Sequence, residues 1–131
     1  MVIDTSALTA ILFGEPEASA FASVLASGSP RLVSAVSALE AAIVVEARKG
    51  PAGSRELDLL IHAAQLEVVA LTPEQVDVAR EAWRRFGKGR HPAGLNLGDC
   101  CAYALARTSA EPLLFKGDDF ARTDVSAVPW S

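Results

Sequence analysis

Four acidic positions fall where chain geometry could bring them together. Asp4 follows the apolar pair Val2-Ile3, and Glu40 lies early in the amphipathic run that follows Leu32-Val33. Asp99 sits just after Asn96-Leu97-Gly98, and the doublet Asp118-Asp119 follows Leu113-Leu114-Phe115. Carboxylates gathered at one place repel: at an effective dielectric of ~20, two charges ~5 Å apart cost about 3 kcal/mol. A hard divalent cation offsets that cost, and Mg²⁺ or Mn²⁺ prefers oxygen ligands. Each acid also has a structural reading. Ser37-Ala38-Leu39-Glu40 fits a capping box, and Asn96 with Asp99 fits an Asn cap with an acid in the first helical turn. Either member of the doublet could shape a turn after Gly117. Asp4 is the hardest to dismiss, because Asp is disfavoured in strands.

The elements that must position these acids alternate. Short runs at Met1 to Asp4, Arg31 to Ala35, Leu66 to Leu71, Pro112 to Phe115 and Val125 to Val128 read as strands. Helical patterns cover Ser6 to Phe13, Glu17 to Ala26, Ser37 to Lys49, Pro51 to Gln65 and Leu97 to Ala110. Thr72-Pro73-Glu74-Gln75 opens a further helix: a Thr cap, Pro in the first turn and Gln at the capping-box position. Its residues Val76, Ala79, Trp83 and Phe86 recur at helical spacing and are expected in the core. The alternation implies an α/β fold, a parallel-type sheet of four to five strands with helices on both faces. In such a sheet all four acidic positions project to the edge where strands end, the edge that holds ligands.

The composition sets bounds. A chain of 131 residues, half apolar and 21% charged, reads as one globular domain over residues 1–131. A net charge of −4 excludes a uniformly basic nucleic-acid coat but not a local basic patch. No apolar run reaches the ~18 residues of a membrane span, and Met1-Val2-Ile3-Asp4 does not read as a secretory signal. The adjacent Cys100 and Cys101 imply no disulfide framework, so a reducing cytoplasm is the expected location. His62 and His91 lack the neighbours of a zinc site.

Two blocks carry a family resemblance. Val2-Ile3-Asp4-Thr5-Ser6-Ala7-Leu8 resembles the opening of PIN domains. Leu95-Asn96-Leu97-Gly98-Asp99-Cys100-Cys101-Ala102-Tyr103-Ala104-Leu105-Ala106, followed by Pro112 to Phe120, resembles the VapC toxins of type II toxin–antitoxin pairs. The resemblance implies an endoribonuclease that depends on Mg²⁺, with Mn²⁺ able to substitute. It also implies an RNA substrate, a VapB-type antitoxin that holds the toxin inactive, and a homodimer. It assigns Asp4, Glu40, Asp99 and one of the doublet as catalytic acids, with Asp4 and Asp99 as metal ligands. Asp118 is preferred over Asp119 because it lies nearer the strand end. Thr5 and Ser6 are accessory candidates that could donate hydrogen bonds to Asp4 or to a phosphate.

A basic stretch runs from Arg84 to His91, with Arg84, Arg85, Lys88 and Arg90 and no acid among them. It reads as an RNA-binding track or as a solvated helix face. Among rival functions, a receiver-like signalling module would want an Asp ending the third strand, and Leu66 to Pro73 has none. A phosphatase with an Asp nucleophile would want an acid at Ser6. The remaining alternative is a PIN domain without catalysis that only binds RNA or protein.

Overall fold

The computed structural model describes all 131 residues. Four short strands form one parallel sheet: β1 (Val2–Ile3), β2 (Leu32–Ser34), β3 (Glu67–Val69) and β4 (Leu113–Leu114). Their order is β3-β2-β1-β4, with Val2 facing Leu32 on one side and Leu113 on the other. The chain steps outward from β1 to β3 and then crosses to the far side of β1. The strand order therefore reverses between β1 and β4, and a crevice opens at the carboxyl ends of strands at such a reversal.

The alternation of strand side chains builds two cores. Ile3, Val33 and Leu114 point to one face, where they meet α1 (Thr5–Leu12), α2 (Ala18–Ser27), α3 (Ala35–Lys49) and α4 (Pro51–Ala63) through Leu8, Phe21, Ala41 and Leu57. Val2, Leu32 and Leu113 point to the other, against Phe86 of α5 (Pro73–Phe86) and Tyr103 and Leu105 of α6 (Leu97–Ser109). These strands are buried on both faces, so they read as continuous apolar runs rather than alternating ones. At the edge, β3 keeps only three residues, and Glu67 and Val68 are exposed.

Three expectations are corrected. Val125 to Val128 does not form a fifth strand. A single parallel bridge, Leu113 to Ala127, extends the edge beside β4. Helix α3 begins earlier than Ser37: Ser34 caps it by accepting from the Val36 backbone N–H, and Ser37 is buried inside the helix. Helix α5 is also rotated relative to the expected core stripe. Its buried residues are Gln75, Ala82 and Phe86, whereas Val76 is 39% and Trp83 46% exposed. The Thr72 cap stands, accepting from the Gln75 N–H, but the Gln75 amide turns inward and donates to the Ala70 carbonyl. Small Ala82 faces the core in place of the indole of Trp83.

Candidate active site

Asp4 stands at the reversal of strand order. Its backbone N–H donates to the Leu114 carbonyl across the β1–β4 pair, and its side chain caps α1. Asp4 Oδ2 accepts from the Ser6 N–H at 3.0 Å and from Ser6 Oγ at 2.6 Å. Ser6 Oγ in turn accepts from the Lys116 N–H at 2.9 Å, which ties the ends of both strands to one carboxylate. Burial pushes the Asp4 carboxyl above its ordinary range. The Ser6 bonds oppose that shift, and the neighbouring Glu40 adds to it.

Glu40 is not part of a capping box, because the true cap of α3 lies at Ser34 and the first turn holds no acid. Glu40 is instead held from outside its helix. Thr5 Oγ1 donates to Glu40 Oε1 at 2.7 Å. On the other side lies Gly98 of α6. A Cβ at that position would fall 2.6 Å from Glu40 Oε1 and 2.8 Å from Oε2. The absent side chain of Gly98 is thus the space the Glu40 carboxylate occupies.

Asp99 does belong to a capping box. Asn96 Oδ1 accepts from the Asp99 N–H at 2.9 Å, and Asp99 Oδ2 accepts from the Asn96 N–H at 3.0 Å. The capping role coexists with the acid cluster. Burial, and then the charges of Asp4, Asp119 and Glu40, push its pKa up to about 6 against the pull of the Asn96 bond. Asp118 and Asp119 are both exposed. Asp119 begins the 3-10 turn Phe120–Arg122, but its side chain makes no capping bond there and is left to the field of Asp99. The structure thus gathers Asp4, Glu40, Asp99 and Asp119 into one electrostatic neighbourhood.

No three His, Cys, Asp or Glu side chains close into a ready ligand cage. The donor set nonetheless suits a hard divalent cation. It is all carboxylate oxygen, and Glu40 and Asp99 each commit one oxygen to hydrogen bonds, leaving Glu40 Oε2 and Asp99 Oδ1 without a partner. His91 is not a ligand candidate, since its Nδ1 accepts from the Ala93 N–H. Burial pushes the Cys100 thiol up to about 11, and Cys101 also rises, so both behave as small apolar residues.

The basic stretch does not form one track. Arg85 turns away from Arg84 to pair with Asp124 at 3.3 Å, in a network with Tyr103 and Arg107. Arg84 pairs with Glu81 at 3.0 Å and, with Lys88, lines a groove that also contains Trp83. Arg90 lays its guanidinium over the Trp83 ring, 4.6 Å from the centroid. Two participants escape a reading of the sequence by charge runs. Arg80 lines the same groove, and only its helical spacing from Arg84 signals it. Gly98 has no local signal at all, because its role depends on a side chain of another helix.

A family model described as PIN domain matches residues 1–126. A VapC ribonuclease of Mycolicibacterium smegmatis is 56% identical over 128 residues, spanning 98% of this chain and 99% of the relative. Ribonuclease VapC30 of Mycobacterium tuberculosis is 54% identical over 128 residues, spanning 98% of each. Among solved structures, M. tuberculosis VapC20, a sarcin–ricin loop cleaving toxin, matches with a TM-score of 0.76 over 97% of both chains, at 18% identity. VapBC2 of Rickettsia felis, solved with a DNA fragment from its promoter, matches with a TM-score of 0.79 over 99% of this chain and 98% of that one, at 14% identity. Similarity at so low an identity bears on the fold alone.

Proposed function

Since this chain belongs to the PIN-domain family, and within it to the VapC ribonucleases, we propose that Asp4, Glu40, Asp99 and Asp119 form the centre at which it hydrolyses RNA. The protein is an endoribonuclease and the toxin of a toxin–antitoxin pair. It depends on a divalent metal ion, and Mg²⁺, with Mn²⁺ able to substitute, is our assignment. One observation carries the choice of residues: Asp4 at the end of β1, Glu40 held between Thr5 and Gly98, and Asp119 surround Asp99 from separate segments of the chain, and their charges add to the burial that raises its carboxyl. Asp118, preferred in the sequence for its nearness to the strand end, gives way to Asp119 on the same observation.

Asp4 and Asp99 would hold the ion. When bound, a divalent cation supplies a Lewis acid to the phosphoryl oxygens and lowers the pKa of water. The chain's own residues do the positioning. Ser6 fixes the rotamer of Asp4, Thr5 fixes Glu40, and the Asn96 cap fixes Asp99. Glu40 Oε2, free of protein partners, orients the attacking water. In-line attack on phosphorus breaks the bond to the 3′-oxygen and leaves a 5′-phosphate and a 3′-hydroxyl.

The catalytic unit is one domain over residues 1–131. Its partners are RNA and a VapB-type antitoxin, and a second copy completes a homodimer, which sedimentation would test. No helix is long and apolar enough to cross a membrane, and we place the activity in the cytoplasm, with the RNA. The functional test is cleavage of RNA by the purified chain in Mg²⁺ or Mn²⁺. Activity should stop with a chelator and in folded Asp4→Asn and Asp99→Asn proteins. Cleavage that persists in chelator, or in both variants, would reject the assignment. A folded wild type that binds RNA without cutting it would favour the non-catalytic alternative.

A further inference from the structure

We propose that Lys116 is a positioning residue for the acid cluster: clamped by Glu15 and Glu17, it holds the Ser6 hydroxyl on Asp4 and so sets the affinity of the centre for its divalent ion. This rests on the metal-dependent ribonuclease reading above and adds to it the part of the chain that keeps one carboxylate still.

The argument starts where the sheet ends. The Asp4 N–H donates to the Leu114 carbonyl across the β1–β4 pair. One step further along, the Lys116 N–H donates to a side chain instead, Ser6 Oγ at 2.9 Å. An amide N–H can only donate, and a hydroxyl carries one proton. Ser6 Oγ accepts from Lys116, so it turns that proton to Asp4 Oδ2, 2.6 Å away. The Lys116 backbone thereby fixes the direction of the bond that holds the carboxylate.

The segment carrying this N–H has little else beyond it to hold it. Gly117 follows with φ +98° and open space where a Cβ would stand, and Asp118 and Asp119 are exposed. The Lys116 side chain supplies the hold. Strand alternation turns Phe115 to the α5–α6 face and Lys116 to the opposite one, where the connector between α1 and α2 lies. There Lys116 Nζ sits 2.9 Å from Glu17 Oε2 and 3.3 Å from Glu15 Oε1. Glu17 Oε2 is shut off from solvent and accepts no well-formed hydrogen bond, so the ammonium is what compensates its charge. Breaking such a pair from one side leaves a buried charge without a partner. The clamp is therefore more than a loose surface contact, and it fastens the α1–α2 connector to the end of β4.

A direct contact between Lys116 and a substrate phosphate is the competing role. The ammonium is already shared by two carboxylates, and a phosphate that captured it would strip Glu17 Oε2 of its counter-charge. The geometry favours positioning.

The test is the affinity of the full chain for Mn²⁺ alone, read from the electron paramagnetic resonance signal of the free ion. Lys116→Met should raise the Kd about tenfold, as loss of an outer partner does at a metal site, and Lys116→Arg should recover most of it. Plain electrostatics gives the opposite sign, since removing a cation beside an acid cluster tightens Mn²⁺. Lys116→Met with Glu17→Gln removes the uncompensated carboxylate, leaves the net charge unchanged and should show the same loss. It keeps the test open if the single variant does not fold. In a Ser6→Ala background Lys116→Met should add less than about twofold, because the two act through one bond. An unchanged or tighter Kd in the folded variants, or a full tenfold further loss without Ser6, overturns the proposal. So does an unchanged Kd with a salt slope of RNA binding flattened by about 0.7, which would make Lys116 a phosphate contact. Failure of the ribonuclease reading looks different: a wild type that takes up Mn²⁺ and cuts no RNA.

Discussion

Replacing Asp99 by Asn should make the metal-free protein more stable at neutral pH. Asn keeps an acceptor for the Asn96 N–H, so the cap survives, and the change removes only charge. Burial and three neighbouring acids push Asp99 from an ordinary 3.8 up to about 6. A carboxyl with a raised folded pKa binds more protons folded than unfolded. Stability therefore falls as pH rises from about 4 to about 6, and the deficit persists above that. At about 1.4 kcal/mol per unit this is roughly 3 kcal/mol. Because Asp99 is only half-buried, solvent screening reduces it to about 1–2 kcal/mol. The lost charge at a helix N-terminus takes back about 0.5 kcal/mol, leaving about 1 kcal/mol. For 131 residues, at about 2.1 cal/mol/K of unfolding entropy per residue, that is a rise in Tm of roughly 3–4 °C. The assay is thermal melting of both proteins in chelator across pH 3.5–7.5. The difference should vanish at the acid end and reach its full size above about pH 6.5. Millimolar Mn²⁺ should then reverse the order, because an ion that binds only the folded wild type adds about 2.7 kcal/mol at a hundredfold excess over Kd. A variant less stable than wild type at neutral pH in chelator, or a difference that ignores pH, would refute the reasoning.

Asp119→Asn should lower cleavage on the order of 100-fold, and Asp118→Asn much less at matched stability, since only Asp119 is among the acids that raise Asp99. Rates in the opposite order would return the fourth position to Asp118. Gly98→Ala should displace the Glu40 carboxylate, since a Cβ would sit 2.6 Å from Oε1. Cleavage should fall on the order of 100-fold, while the melting temperature changes little because Ala favours the helix; full activity would show that Glu40 tolerates displacement. Ser6→Ala keeps the backbone N–H bond to Asp4 but removes the hydroxyl that donates to Asp4 and accepts from the Lys116 N–H. It should cost about 1–3 kcal/mol in a denaturant melt, and a neutral result would mean that water replaces the hydroxyl.

Much of this architecture is legible in the sequence because it rests on local rules. Val2-Ile3, Leu32-Val33 and Leu113-Leu114 announce buried parallel strands, and Thr72-Pro73 and Asn96 announce helix starts that the structure keeps. What is not legible depends on partners distant in sequence. The capping-box pattern points to Ser37, but the cap falls at Ser34 because β2 runs directly into α3. That shift moves Glu40 out of the capping turn and toward Thr5 and Gly98. Apolar residues of α5 cover a wide arc, so periodicity alone could not tell that Phe86 turns in and Trp83 out. Asp118 and Asp119 differ by one residue in a turn, and their order of approach to Asp99 depends on the 3-10 turn that follows.

The most direct test is the chemistry of the cut ends. RNA from cells briefly expressing the wild type, and RNA cut by the purified chain in Mg²⁺, should yield new 5′ ends that ligate directly to an adaptor, because hydrolysis by water leaves a 5′-phosphate. The same ends should be absent with folded Asp99→Asn. New ends that ligate only after phosphorylation, with 2′,3′-cyclic phosphates on the upstream fragments, would mean that the RNA's own 2′-hydroxyl is the nucleophile. They would contradict hydrolysis by water at a centre built from Asp4, Glu40, Asp99 and Asp119.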